Sequence, residues 1–246
     1  MSALTRLTRT ETKLFFREPA GVFFTLAFPP ILMVVLGSVP AMREPDKALG
    51  GMRAIDLYAP IIVAMAIAMF SLNGLPQQFA TYRDKGVLRR MRTTPVKPAV
   101  MLGAQLLMCT VMSVIVMAVV VAIGRLAFDV TLPRQLPAYL ISYLLCALAM
   151  FSIGLLVASL APSGKGAGAI GTVLFFPVLF FAGLWVPRDA MSSLLRRISD
   201  FTPLGAGVQS LSDAAAGHWP QLLHIGVMLG WTIVAGGLAA RYFRWE

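Results

Sequence analysis

Charges punctuate this chain rather than permeate it. Six stretches run uncharged for more than twenty residues each, at 19–42, 57–82, 98–124, 135–164, 166–187 and 214–240. A helix rises about 1.5 Å per residue, so about 20 apolar residues cross a hydrocarbon core about 30 Å thick. Each stretch therefore predicts one membrane-spanning helix with some tilt. Before the first, Arg6, Arg9, Lys13 and Arg17 fall at helical spacing with Leu4, Leu7, Leu14 and Phe15 elsewhere on the wheel, the pattern of a helix lying along a membrane surface. Between the last two stretches, Met191, Leu194, Leu195, Ile198 and Phe201 recur at helical spacing with Arg188, Arg196, Arg197 and Asp200 opposite. That predicts an external amphipathic helix or a re-entrant pair, and the Gly- and Ala-rich residues 204–217 are expected to dip back between neighbouring helices. The expected fold is an all-α polytopic membrane protein, one transmembrane domain over 1–246, with spans near 20–42, 57–80, 98–124, 137–160, 167–186 and 218–240.

Composition sharpens this. Hydrophobic residues make up 58% of the chain and charged ones 13%, against roughly 45–50% and about 25% in soluble domains. The net charge of +10 invites a nucleic-acid reading, but the cations cluster in loops beside spans, so no nucleic-acid partner is expected. On alternate sides of the six stretches the lysines and arginines number thirteen and eight. The richer side carries both termini, which the positive-inside rule puts in the cytoplasm. The first stretch follows a charged segment and lacks a small-residue cleavage pattern, so it is expected to remain as a span. Cys109 and Cys146 fall in different stretches, where a thiol behaves as a small apolar group.

Within the spans, polar and small residues stand out. Pro29-Pro30 predicts a kink or break. Span two ends with Ser71, Asn73, Gly74, Pro76, Gln77 and Gln78, which should face protein or a water-filled cavity, as interhelical hydrogen bonds or as pathway lining. Spans three and four read as featureless packing helices. Gly164, Gly168 and Gly171 predict close helix contact at the start of span five, and Gly226 and Gly230 share a face of span six. His224 reads as an interfacial, hydrogen-bonded histidine. Residues 83–97 hold a short apolar face of Val87, Leu88 and Met91 with Arg83, Lys85, Arg89, Arg90 and Arg92 around it, enough for about two helical turns along the membrane before Pro95.

Several chemistries lack their residues. Ser163-Gly164-Lys165-Gly166 has neither the upstream glycine nor the following hydroxyl of a phosphate-cradling loop, and no H-E-x-x-H or cysteine pair at metal spacing occurs. No Asp or Glu lies inside a span, which weighs against an ion-coupled carrier. Catalytic, cofactor and metal sites on this chain are therefore expected to be none, and energy should come from another protein.

The order and spacing of these parts resemble the type-2 ATP-binding-cassette exporter permeases over nearly the whole length. The residues that carry the resemblance are the basic helix before span one, RDKGVLRRMRTTPVKP at 83–98, the glycine-rich start of span five, FFPVLFFAGLWVP at 175–187, and the external segment ending Phe201-Thr202-Pro203-Leu204. Members of that group often place Asn before this proline; here it is Thr202. The resemblance implies a bacterial inner-membrane subunit that pairs with a second copy or homologue and with two cytoplasmic ATPases, which hold ATP and Mg. It implies that Gly86, Val87, Leu88, Arg89, Arg90, Met91, Arg92 and Thr94 form the coupling segment, with Arg6, Arg9, Lys13 and Arg17 docking the same ATPase. Asn73, Gln77, Phe175, Phe176 and Phe180 would line the substrate pathway, and Arg188, Leu194, Leu195, Ile198 and Phe201 would cap its outer end. The expected cargo is a drug, antibiotic, lipid or lipid-linked glycan; the competing reading is a membrane scaffold that transports nothing.

Overall fold

A computed structural model describes residues 3–49, 51–87 and 98–242 of the chain. Its main elements are the helices α1 (Ala3–Phe15), α2 (Phe23–Ser38), α3 (Ala54–Asp84), α4 (Pro98–Phe128), α5 (Leu136–Leu160), α6 (Gly164–Phe181), α7 (Ser193–Phe201), α8 (Pro203–Ala216) and α9 (Leu222–Tyr242). Five of them, α3, α4, α5, α6 and α9, are long and apolar enough to cross a membrane. The first predicted stretch gives the shorter apolar helix α2, which follows directly on the helical turn Pro19–Val22.

Helix α3 is the central column. Of its most apolar window 78% is buried, against 50% for α5, 33% for α4 and 22% for each of α6 and α9. Midway along it the backbone widens into a π turn at Phe70–Gly74. The cause is local. Pro76 has no amide to return to the Leu72 carbonyl, and the Leu75 amide reaches back to Phe70 instead of Ser71. The carbonyls of Ser71 and Leu72 thus lose their α-helical partners and point sideways. Glycines meet them: a Cβ on Gly154 of α5 would strike the Ser71 carbonyl, and one on Gly171 of α6 would strike that of Leu72. The Ser71 hydroxyl also donates to the Met150 carbonyl of α5. The expected close contact of the span-five glycines is therefore an α3 contact, and Gly164 extends it by lying against the Thr81 hydroxyl.

A second π turn, Phe23–Ala27, precedes Pro29-Pro30 in α2, so the missing amides are absorbed by a wide turn rather than by a break. On one flank of α3, α4 packs against α1, α2 and α3; on the other, α9 runs along α5 with α8 against both. Helix α8 starts as Thr202 dictates: its hydroxyl accepts from the Gly205 amide at 3.2 Å, Pro203 takes the first turn, and Gly217 closes the helix at φ 100°. Gly207 of α8 lets Cys146 of α5 approach. Away from these contacts Leu107, Val111, Ile115 and Val119 form an exposed apolar ridge on α4, and Leu140, Leu144 and Leu148 form another on α5, surfaces that suit lipid and not water.

Gly171→Ala pushes a methyl into the Leu72 carbonyl, so α6 must retreat from α3 at a cost of about 1–3 kcal/mol. Gly226→Ala adds the same methyl to open space. Thermal unfolding of the detergent-solubilised protein is expected to shift down for the first variant and stay level or rise for the second; equal stabilities would remove the α3–α6 contact from the constraints on the fold.

Candidate functional site

Between α2, α3, α4 and α6 lies a cleft of about 1090 Å³. Its composition follows from the direction of the helices that wall it. At the end nearer α1 they contribute Thr25, Gln77, Gln78, Thr81 and Gln105; toward the other end come Leu32, Met65, Leu179, Leu184 and Trp185. The cleft thus gathers amides and hydroxyls at one end and apolar side chains at the other, while aromatic rings line it from Phe15 and Phe24 near α1 to Trp185. Both π turns border it, through Phe24 and Thr25 of α2 and Phe70, Asn73 and Gly74 of α3. Trp185 stacks on Phe176 with centroids 6.5 Å apart and planes 19° from parallel, and Phe175 meets Phe176 edge-on at 6.1 Å.

The structure brings Asn73, Gln77, Phe175 and Phe176 into this one cleft. Phe180 is not among its lining residues; its ring packs edge-on against Phe181 at 5.3 Å. The Thr172 hydroxyl, which donates to the Gly168 carbonyl at 2.9 Å, lies 3.4 Å from the Asn73 amide oxygen, and Gln77 lies beside Gly168. The polar end of span two divides between both expected roles: Ser71 makes an interhelical bond while Asn73 and Gln77 face the cleft. Helix α4 departs from its expected featurelessness. Gln105 is 3% exposed, lines the cleft, and its amide oxygen has no protein partner.

Helix α1 closes the polar end. Arg6, Arg9, Lys13 and Arg17 are all exposed, and Arg17 reaches the cleft margin. The opposite face carries Glu11, only 4% exposed, whose carboxylate accepts from the Tyr82 hydroxyl at 2.7 Å, while Gln78 donates to that hydroxyl at 2.6 Å. Burial raises the Glu11 pKa above its ordinary 4.5, and the bonds to Tyr82 and Gln78 offset part of the rise. Phe15 continues the contact, its ring centroid 6.0 Å from that of Phe70 in the π turn. Sequence reasoning missed Glu11; the available signal was an acid four residues from Leu7 and from Phe15, on the inward side of a basic helix.

Below the cleft α3 ends at Gly86, whose φ of +66° is left-handed. Two bonds tie this end to the α5–α6 turn: Asp84 accepts from the Gly164 amide at 2.8 Å, and Arg83 donates to the Ala161 carbonyl. Val87 follows Gly86. Leu88, Arg89, Arg90, Met91, Arg92 and Thr94 of the predicted coupling segment lie outside the described residues.

At the far end, Asp200 pairs with Arg188 at 2.5 Å and with His224 at 3.1 Å, the Ser199 hydroxyl donates to the Phe181 carbonyl at 2.6 Å, and Trp231 donates to that of Phe201 at 2.9 Å. Helix α7 therefore turns its polar side inward. Leu194, Ile198 and Phe201 are exposed along its outer edge, and Leu195 is half-buried.

Residues 2–215 match the family model of the ABC-2 type transporter. The chain belongs to this family. It is also 23% identical over 232 residues, covering 91% of each chain, to a Bacillus subtilis (strain 168) protein named "Putative transport permease YvfS". With its several long apolar helices, the chain is a multi-pass membrane protein of the ABC-2 permease type.

Because the Glu11 carboxyl is easier to protonate when α1 is docked, its contribution to stability is complete below the ordinary carboxyl pKa and is lost as pH rises through the raised one. Thermal unfolding from about pH 4 to about pH 8 is expected to show a falling contribution in the wild type and a flatter profile in Glu11→Gln. Tyr82→Phe, which leaves the carboxylate without its donor, should cost about 1–3 kcal/mol at the upper end of that range. Parallel profiles for wild type and Glu11→Gln would show that this carboxyl does not titrate with docking.

Proposed function

We propose that this permease is the membrane subunit of an ATP-driven exporter, moving an amphiphilic or hydrophobic cargo out of the cytoplasm or inner leaflet of a bacterial cytoplasmic membrane. The observation that carries this reading is the cleft, which sets hydrogen-bonding side chains at the α1 end and apolar ones at the other. Such a gradient accommodates a molecule with a polar head and an apolar body, as drugs, antibiotics, lipids and lipid-linked glycans have. Asn73, Gln77, Phe175 and Phe176 line the proposed pathway; Arg188, Leu194, Leu195, Ile198 and Phe201 belong to the proposed outer cap.

Energy would come from two cytoplasmic ATPase subunits that bind ATP and Mg, with a second copy or homologue of this chain completing the membrane part. The 86–94 segment is the proposed coupling element. The ties from Arg83 and Asp84 to the α5–α6 turn support this, since a push on the end of α3 also moves α6, and both wall the cleft. The exposed cations of α1 offer the same ATPase a second contact. Six crossings and cytoplasmic termini complete the proposal. Residues 19–38 run helically without a gap, about 30 Å of helix, and the basic loops fall on the side of α1.

Topology is tested with single cysteines in a variant lacking Cys109 and Cys146. From outside intact cells a reagent is expected to label position 193 and not position 93; the reverse pattern would overturn the orientation.

Coupling is tested by Leu88→Pro, which keeps every charge but removes an amide and obstructs a helical turn, at about 3 kcal/mol locally. The variant is expected to insert normally yet lose ATPase capture or cargo export, whereas Arg89→Lys with Arg90→Lys does much less. ATP hydrolysis should appear only when the separate ATPase is present. Full export by the proline variant would return this segment to a topological loop, and stable ATPase capture without any export by the wild type would favour the scaffold.

A further inference from the structure

Gln105 sits alone. It is a nine-tenths-buried amide in a helix of otherwise apolar cleft-facing residues, Met108 and Cys109 following it on the same wall, and its carbonyl oxygen meets no protein donor. A buried polar atom without a partner is uncommon and costly, and a mobile occupant that supplies the missing bond is one way such a site persists. Two hydroxyls that line the same cleft have their protons engaged. The Thr25 hydroxyl spends its proton on the Gly21 carbonyl at 2.6 Å, and the Thr172 hydroxyl donates to that of Gly168 at 2.9 Å, so both offer the cleft lone pairs only. Gln78 commits its amide to the Tyr82 hydroxyl. Donor-bearing side chains, Arg17, Asn73, Gln77 and Thr81, line the same cleft, and the Gln105 oxygen is the buried acceptor of its lining that has no partner.

Resting on the reading of the cleft as the export pathway, we propose that Gln105 forms a head-group subsite that accepts a hydrogen bond from the cargo, and that the cargo class is an amphiphile whose head carries hydrogen-bond donors. Hydroxyls and ammonium groups satisfy this chemistry. A phosphodiester head, which brings acceptors alone, would leave the Gln105 oxygen unpaired. The apolar body then lies toward Phe175, Phe176 and Trp185, and the same side chain of α4 that anchors the head separates this cargo from hydrocarbon of the same length.

The binding test uses the full chain in lipid nanodiscs, with Trp219, Trp231 and Trp245 replaced by Phe so that Trp185 at the apolar end reports occupancy. Three probes share one octyl tail: octyl glucoside presents hydroxyls, octylammonium presents a charged donor, and octyltrimethylammonium presents charge without a donor. Gln105→Leu keeps the bulk and removes the acceptor. The expected result is binding of the glucoside, the ammonium or both to the parent protein, with about a tenfold loss in the Leu variant for whichever donor probe binds. Octyltrimethylammonium should bind weakly and equally to both proteins. Gln105→Glu, which retains an acceptor, should keep the affinity that the Leu variant loses. If Gln105→Leu binds all three probes as the parent does, or weakens all three alike, the amide is a packing residue and the proposal falls. Export by the complex with its ATPase is measured separately: export that survives Gln105→Leu unchanged sinks the subsite alone, whereas absence of export from the wild type with intact probe binding sinks the transport reading instead.

Discussion

Two carbonyls and two missing side chains organise this molecule. The π turn of α3 turns the Ser71 and Leu72 carbonyls out of the helix, into a place where water cannot satisfy them. Only a neighbour without a Cβ comes close enough for its Cα–H to lie against such an oxygen, and Gly154 and Gly171 are those neighbours. Because one glycine belongs to α5 and the other to α6, a single distorted turn sets the positions of both helices against the central column. The rest of the bundle builds on that pair: α9 and α8 assemble on α5, and the free face of α6 becomes a wall of the cleft.

The same turn explains why the cleft exists. A regular α3 would keep its polar and apolar faces aligned along its length, but the extra residue of a π turn rotates the lower half of the helix relative to the upper half. Asn73 and Gln77 face the cleft while Ser71 faces α5. Helix α1 closes the lower boundary through a chain of bonds from Gln78 to Tyr82 to Glu11, so a surface helix whose cations face outward is held by its one inward acid.

Much of this was legible in the sequence, for physical reasons that differ by region. Apolar run length marked the crossing helices because the hydrocarbon thickness leaves little choice, although the helix of the first stretch stops at Ser38, short of the predicted 42. The 3.6-residue spacing of Arg6, Arg9, Lys13 and Arg17 marked the exposed face of α1. Spacing failed where partners decide. Gly226 and Gly230 look like a packing motif and meet nothing, while Gly171 sits in a similar glycine-rich stretch and touches backbone. Gln105 was lost in a long apolar run, although a lone amide there is expensive enough to be a flag. Leu194, Ile198 and Phe201 were legible as one face of α7, but only the inward pull of Arg188, Asp200 and His224 shows that this face turns outward.

The Asp84–Gly164 bond has a mechanical meaning. From the π turn to the lower end of α3 there are 10 residues, and from the turn to the upper end 16, arms of about 15 Å and about 24 Å. A rod pinned at the glycines and pushed at its short arm swings its long arm through about one and a half times the distance, in the opposite sense. Since Arg83 and Asp84 bind the short arm to the root of α6, the geometry is that of a class-one lever whose load is the apolar end of the cleft, and its fulcrum is the turn where Gly154 and Gly171 leave the neighbouring helices no side chain to yield.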